Sequence, residues 1–237
     1  MILNMLQIFN DISNYATIIF TVALSIPQLI KLLKDKKTGE INFYSFWIFH
    51  IGICLWVFFG ALSNTENPYI LKNVVIADGV SCLLNGLMTY MLYHFKKEFS
   101  KKVKLYAALG VLASWIITGT MVILYITLPN FRLTPLQNSI FGAIAPAFTT
   151  FSFLPQLITS IKTKQWRGIT SWMFVLYEVN NIFWIIFWTT SMGLNGILWD
   201  LVIGLAWQIV SLCIYAYQLT MTVIDEQKFK KSQRKQA

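Results

Sequence analysis

The sequence predicts an all-α, polytopic membrane protein with seven transmembrane helices in a 3+1+3 arrangement, two parallel three-helix repeats joined by one further helix. Three observations carry this prediction: seven apolar runs of bilayer length, a one-sided placement of the basic residues, and a match of the chain to itself at a shift of 128 positions.

The 237 residues are 56% hydrophobic and 16% aromatic with only 12% charged, a balance foreign to soluble domains. A bilayer-spanning helix needs about 20 mainly apolar residues at ~1.5 Å rise each. Such runs cover Ile12–Leu33, Phe43–Leu62, Tyr69–Phe95, Val103–Leu128, Leu136–Ile161, Ser171–Thr190 and Leu194–Thr220.

The net charge of +9 comes from lysines that follow the first, third and fifth runs and fill the tail, 17 of the 19 basic residues in all, including Arg167 and Arg234. Only Lys72 and Arg132 fall on the other side. This is the positive-inside pattern, not a nucleic-acid footprint, and it places the N-terminus outside or in a lumen and the C-terminus in the cytoplasm. An odd number of spans follows from those two ends. The first run has no basic residue before it and no small-residue cleavage site, so a removable signal peptide is not expected.

At a shift of 128, Pro27, Gln28, Leu29, Ile30, Lys34 and Lys36 meet Pro155, Gln156, Leu157, Ile158, Lys162 and Lys164. Trp56 meets Trp184 and His50 meets Glu178. About ten identities fall over about 38 ungapped positions, more than composition produces. Further on the shift becomes 122, pairing Asn73 with Asn195 and Asp78 with Asp200 in the common spacing N-x4-D. The fourth run has no counterpart. Three spans reverse the chain's side, so one additional crossing restores the same orientation and yields parallel repeats about an axis along the membrane normal. The units read as 1–98, 99–132 for the linker, 133–222, and a basic tail over 223–237.

With Pro27-Gln28 and Pro155-Gln156 in register in such a chain, the sequence resembles the PQ-loop family, which includes the SWEET sugar facilitators, the lysosomal cystine and cationic amino-acid exporters and the KDEL receptor. The resemblance implies a hinge at each proline–glutamine pair, on which the basic ends of the first and fifth spans swing as an inner gate. From the residues alone, Pro27 and Pro155 lack an amide hydrogen and free the carbonyls of Ala23 and Phe151. A static kink is the plainer reading of the same prolines.

Asp78 and Asp200 are the other outstanding residues, since a carboxyl inside a span costs about 2.5 to 3.5 kcal/mol to insert. Near the pseudo-symmetry axis they predict a polar central site, where drying and wetting would let them exchange a proton. Asn73 and Asn195 could bind a neutral solute there. His50, Glu178 and Asn181 are read as a polar relay or cavity wall, against the alternative of an interhelical hydrogen bond. Trp56 and Trp184 are read as cavity aromatics, or as packing.

No clustered metal-ligand spacing, phosphate-cradling loop or nucleophile with its base is evident, so neither an enzyme nor a cofactor is predicted. Cys54, Cys82 and Cys213 give neither a disulfide framework nor a metal site. The expected partners are the lipid bilayer, a small solute and a proton, with no nucleic acid and the oligomeric state left open. Buried aspartates favour an amino acid or a cationic or zwitterionic metabolite carried with a proton, as the resemblance to the amino-acid exporters implies. A sugar facilitator is the alternative, and a non-transporting receptor of the KDEL-receptor kind ranks behind both.

Overall fold

A computed structural model describes residues 2–63, 69, 71–166 and 169–236, with the side chains of residues 2, 199, 200 and 234–236 excepted. Arg167 and the side chains of Asp200, Arg234 and Lys235 therefore lie outside the described residues. Every regular element described is a helix. In chain order these are α1 (Ile2–Ala23), α2 (Ile26–Asp35), α3 (Phe43–Leu62), α4 (Lys72–His94), α5 (Lys101–Thr127), α6 (Pro135–Phe151), α7 (Leu154–Thr163), α8 (Ser171–Asn195) and α9 (Trp199–Gln236).

Seven crossings result, because α1 continues into α2 and α6 into α7 across short breaks. Six of the crossings are strongly apolar along their length. The other, α8, is diluted by Glu178, Asn180 and Asn181. Large apolar side chains stay exposed around the bundle, as on α5 at Ile116, Ile117, Ile123 and Ile126, where water would penalise them and lipid would not.

Local chemistry sets the ends. Asn42 caps α3 by accepting from the Tyr44 amide, and Ser100 caps α5 by accepting from that of Val103. Thr134 and Gln137 form a reciprocal capping box at the start of α6, with Pro135 in its first turn. The helices α2 and α7 end on Lys36 and Lys164, both left-handed, at φ 47° and 56°. These two lysines stand 128 positions apart.

The prolines differ from the expectation in detail. Neither kinks a continuous helix: each sits in the first turn of a new one, where its missing N–H has no intrahelical partner to lose. Beside the two breaks the carbonyls of Thr21 and Thr149 receive side-chain donors. Ser81 Oγ donates to the Thr21 carbonyl at 2.9 Å, and Tyr215 Oη donates to the Thr149 carbonyl at 2.8 Å.

Both repeats pack alike. The third helix of each lies against its first and second, α4 against α1 and α3, and α9 against α6 and α8. The repeats meet crosswise, α1 on α8 and α6 on α3, while α5 lies outside on α3 and α4. One boundary needs correction: α8 runs to Asn195, and Gly196, at φ 84°, turns the chain before α9 begins. Asn195 thus closes the sixth crossing instead of opening the seventh, and the N-x4-D spacing falls on one helix only in the first repeat.

Candidate functional site: a cavity between the repeats

A cavity lies where the two repeats face each other, walled by α1, α3, α4, α6, α8 and α9. Its polar lining is mostly uncharged, with Asn180, Asn181, Gln208, Thr150 and Ser211. Its aromatic lining includes Trp56, Trp184, Trp188 and Trp207. Asp78 supplies a carboxylate from α4, itself only 6% exposed. No hydroxyl or amide among the described residues donates to that carboxylate.

Two crossed hydrogen bonds fix the indoles. Trp184 Nε1 donates to Thr21 Oγ1 at 3.2 Å, and Trp56 Nε1 donates to Thr149 Oγ1 at 3.2 Å. Each tryptophan of one repeat thereby binds a threonine on the first helix of the other, and both pairs are related by the shift of 128. The symmetry then breaks. Thr21 donates onward to Asn180 Oδ1 at 2.9 Å, but the counterpart of Asn180 is Gly52, whose α-carbon packs against Thr149. Asn181 Oδ1 accepts from Gln208 Nε2 and from Ser211 Oγ, which ties α8 to α9 on the cavity wall.

Toward the lysine-rich end the cavity stops on Phe49, Tyr177 and Tyr215, which pack round the fully buried Phe153. Beneath that plug the two glutamines close the bundle. Gln28 Oε1 accepts from the Thr170 amide at 3.2 Å, and Gln156 Oε1 from the Asn42 amide at 2.6 Å. At the opposite end a second cavity is lined by Asn10, Asn14, Lys72 and Asn195, and shares Trp188 with the first.

The other residues singled out in the sequence are dispersed. Asn73 is buried in α4, its amide without a partner among the described residues, and lines neither cavity. His50 turns away from the cavity, its ring between Asn85 Oδ1 at 3.2 Å and Ser114 Oγ at 2.6 Å. Asn85 continues to Ser25 Oγ at 2.9 Å, so the histidine reaches the cavity wall only through that chain. Glu178 lies outside the lining, with Oε1 buried and unpartnered among the described residues. Thr21 and Thr149 escaped notice although they are identical at the shift of 128, a few residues before the matched segment. Trp188 and Trp207 carry no such signal.

This is the architecture of a membrane transporter: parallel repeats about an axis along the membrane normal, with a polar and aromatic chamber between them. The family model of the PQ loop repeat matches residues 9–69 and 138–194. A sugar transporter SemiSWEET of Leptospira biflexa is 30% identical over 79 residues, 33% of this chain and 92% of that protein. Another from Escherichia coli is 33% identical over 87 residues, 37% of this chain and 89% of its own length. The solved structure of a eukaryotic SWEET transporter superposes with a TM-score of 0.55 at 17% identity, covering 91% of this chain and 99% of that one; the likeness is one of fold. The chain belongs to the PQ-loop family and is an integral membrane protein.

Proposed function

We propose that this protein is a facilitator that carries a small sugar across a membrane by alternating access. The observation that supports the reading best is the chamber between the repeats, lined by four indoles, three neutral amides and several hydroxyls. Indole faces stack on the C–H faces of a sugar ring, and amides both donate to and accept from hydroxyls. A carboxylate such as Asp78 accepts from two neighbouring hydroxyls of one ring. The two SemiSWEET relatives are named as sugar transporters, which favours the same solute class. The basic end faces the cytoplasm in this reading, so the described state is closed inward by Gln28 and Gln156, and Asn195 meets solute in the outer vestibule.

A second reading, an amino acid or cationic or zwitterionic solute moved with a proton, is favoured by Asp78 in the chamber. Uptake into proteoliposomes of a panel of sugars and amino acids, with and without an imposed pH gradient, separates the two. The sugar reading expects uptake that equilibrates without a gradient and ignores an imposed one. Asp78→Asn then weakens apparent affinity by about tenfold, as loss of a hydrogen bond to a charged acceptor does. Amino-acid accumulation driven by the pH gradient, and lost in Asp78→Asn, would replace the first reading by the second. Tight binding of a ligand that never crosses would replace both by a receptor.

A further inference from the structure

The fold assembles a group that the sequence analysis read as inert. His50 and Cys54 stand four residues apart on one face of α3, and Cys82 comes from α4. The sulfurs of Cys54 and Cys82 are 3.6 Å apart. The ligand atoms of all three residues lie within 4.8 Å of one another.

We propose that His50, Cys54 and Cys82 form a binding site for a thiophilic divalent cation of the zinc class. Two zinc–sulfur bonds of about 2.3 Å at a tetrahedral angle hold their sulfurs about 3.8 Å apart, a spacing the two cysteines already have. The imidazole needs only a small approach to complete a Cys2His set. Its ring is oriented by Asn85 and Ser114, and whichever nitrogen binds the ion, the other keeps its hydrogen bond.

Charge selects the ion. Two thiolates and a neutral imidazole cancel a divalent cation, so the loaded site is neutral, as a low-dielectric interior demands. A monovalent soft ion would leave one net negative charge there. Binding converts two thiols and M2+ into M(SR)2 and two released protons. Three protein ligands leave a fourth position, beside the Thr118 hydroxyl that Cys82 Sγ already meets at 3.6 Å. Asp78, one turn from Cys82 on α4, is a chamber-lining carboxyl close to the cluster along the helix. Once bound, the ion would join α3 to α4 within the first repeat; nothing comparable exists in the second, where the positions of His50 and Cys54 hold Glu178 and Ile182.

The site is tested without any transport assay. The full chain in nanodiscs, kept reduced with a phosphine, is titrated with Co2+ and Cd2+, reading thiolate-to-metal charge transfer and the ligand-field bands of tetrahedral Co2+, with Zn2+ as competitor. One ion per chain with thiolate bands is expected. Cys54→Ser and Cys82→Ser, near-isosteric changes that leave the helices intact, should each weaken binding at least tenfold and roughly halve the band. Cys213→Ser, on the exposed side of α9, should change nothing. Absence of thiolate bands in the reduced wild type, or bands of undiminished intensity and unchanged affinity in Cys54→Ser, would overturn the site. So would finding Cys54 and Cys82 joined as a disulfide that resists the phosphine.

Discussion

Gln28 and Gln156 each hold the other repeat: Gln28 accepts from the amide of Thr170, and Gln156 from that of Asn42, positions that are themselves 128 apart. Both acceptors are buried and both donors are N-cap residues, of α8 and α3. The proline–glutamine pairs thus do two jobs. Proline stands in the first turn of a short separate helix, and glutamine accepts a hydrogen bond from the start of the second crossing of the opposite repeat.

Removing one latch takes the acceptor from a half-buried backbone amide, which costs about 0.5 to 1.5 kcal/mol. Gln28→Ala and Gln156→Ala are therefore expected to lower the thermal midpoint by similar amounts in detergent, and the double variant to open the basic end. Thermal unfolding followed by intrinsic fluorescence checks the first part. Equal effects are the signature of the crossed arrangement.

The Trp–Thr pairs make a second symmetric test. Trp184→Phe with Thr21→Val, and Trp56→Phe with Thr149→Val, form two double-mutant cycles on stability. A coupling of about 0.5 to 1.5 kcal/mol is expected in each. Thr21→Val alone also loses the bond to Asn180, a contribution that the cycle cancels.

Gly52 marks a close approach between repeats. A methyl group there would stand 2.7 Å from Thr149 Cγ2 and 3.0 Å from the Thr149 amide nitrogen. Backbone cannot swing aside as a side-chain tip can. Gly52→Ala should destabilise the protein by about 1 to 3 kcal/mol and slow uptake, whereas Gly119→Ala, with open space around it, should leave both unchanged.

Lys36 and Lys164 hold left-handed backbone at the ends of α2 and α7. Glycine takes that conformation without the side-chain penalty, so Lys36→Gly and Lys164→Gly should each stabilise by up to about 1 kcal/mol. Equilibrium unfolding of the two variants against wild type measures it.

Much of this was legible in the sequence because hydrophobic run length, lysine placement and internal repetition are local or linear signals. They yielded the spans, the 3+1+3 order and the pairing of Trp56 with Trp184. The expected partnership of Asn73 with Asn195 did not take form, since Gly196 ends α8 one residue after Asn195 and sets the two asparagines at different places in their repeats. Side-chain direction was equally hidden. His50 occupies a position that could face the axis, yet Ser114 of the linker helix, which has no counterpart in the repeat, draws it outward. Cys54 and Cys82 meet only once α3 packs on α4, a contact between residues that spacing alone does not pair.

The most direct measurement is the accessibility of a single cysteine placed in the chamber. In a chain with Cys54, Cys82 and Cys213 replaced by serine, Ser211→Cys is exposed to a membrane-impermeant thiol reagent from either face, with and without Gln28→Ala and Gln156→Ala. Alternating access predicts labelling from the face opposite the lysines while both glutamines are present, and from the lysine-rich face once both are removed. Labelling from one face only under every condition, or from neither, would contradict it.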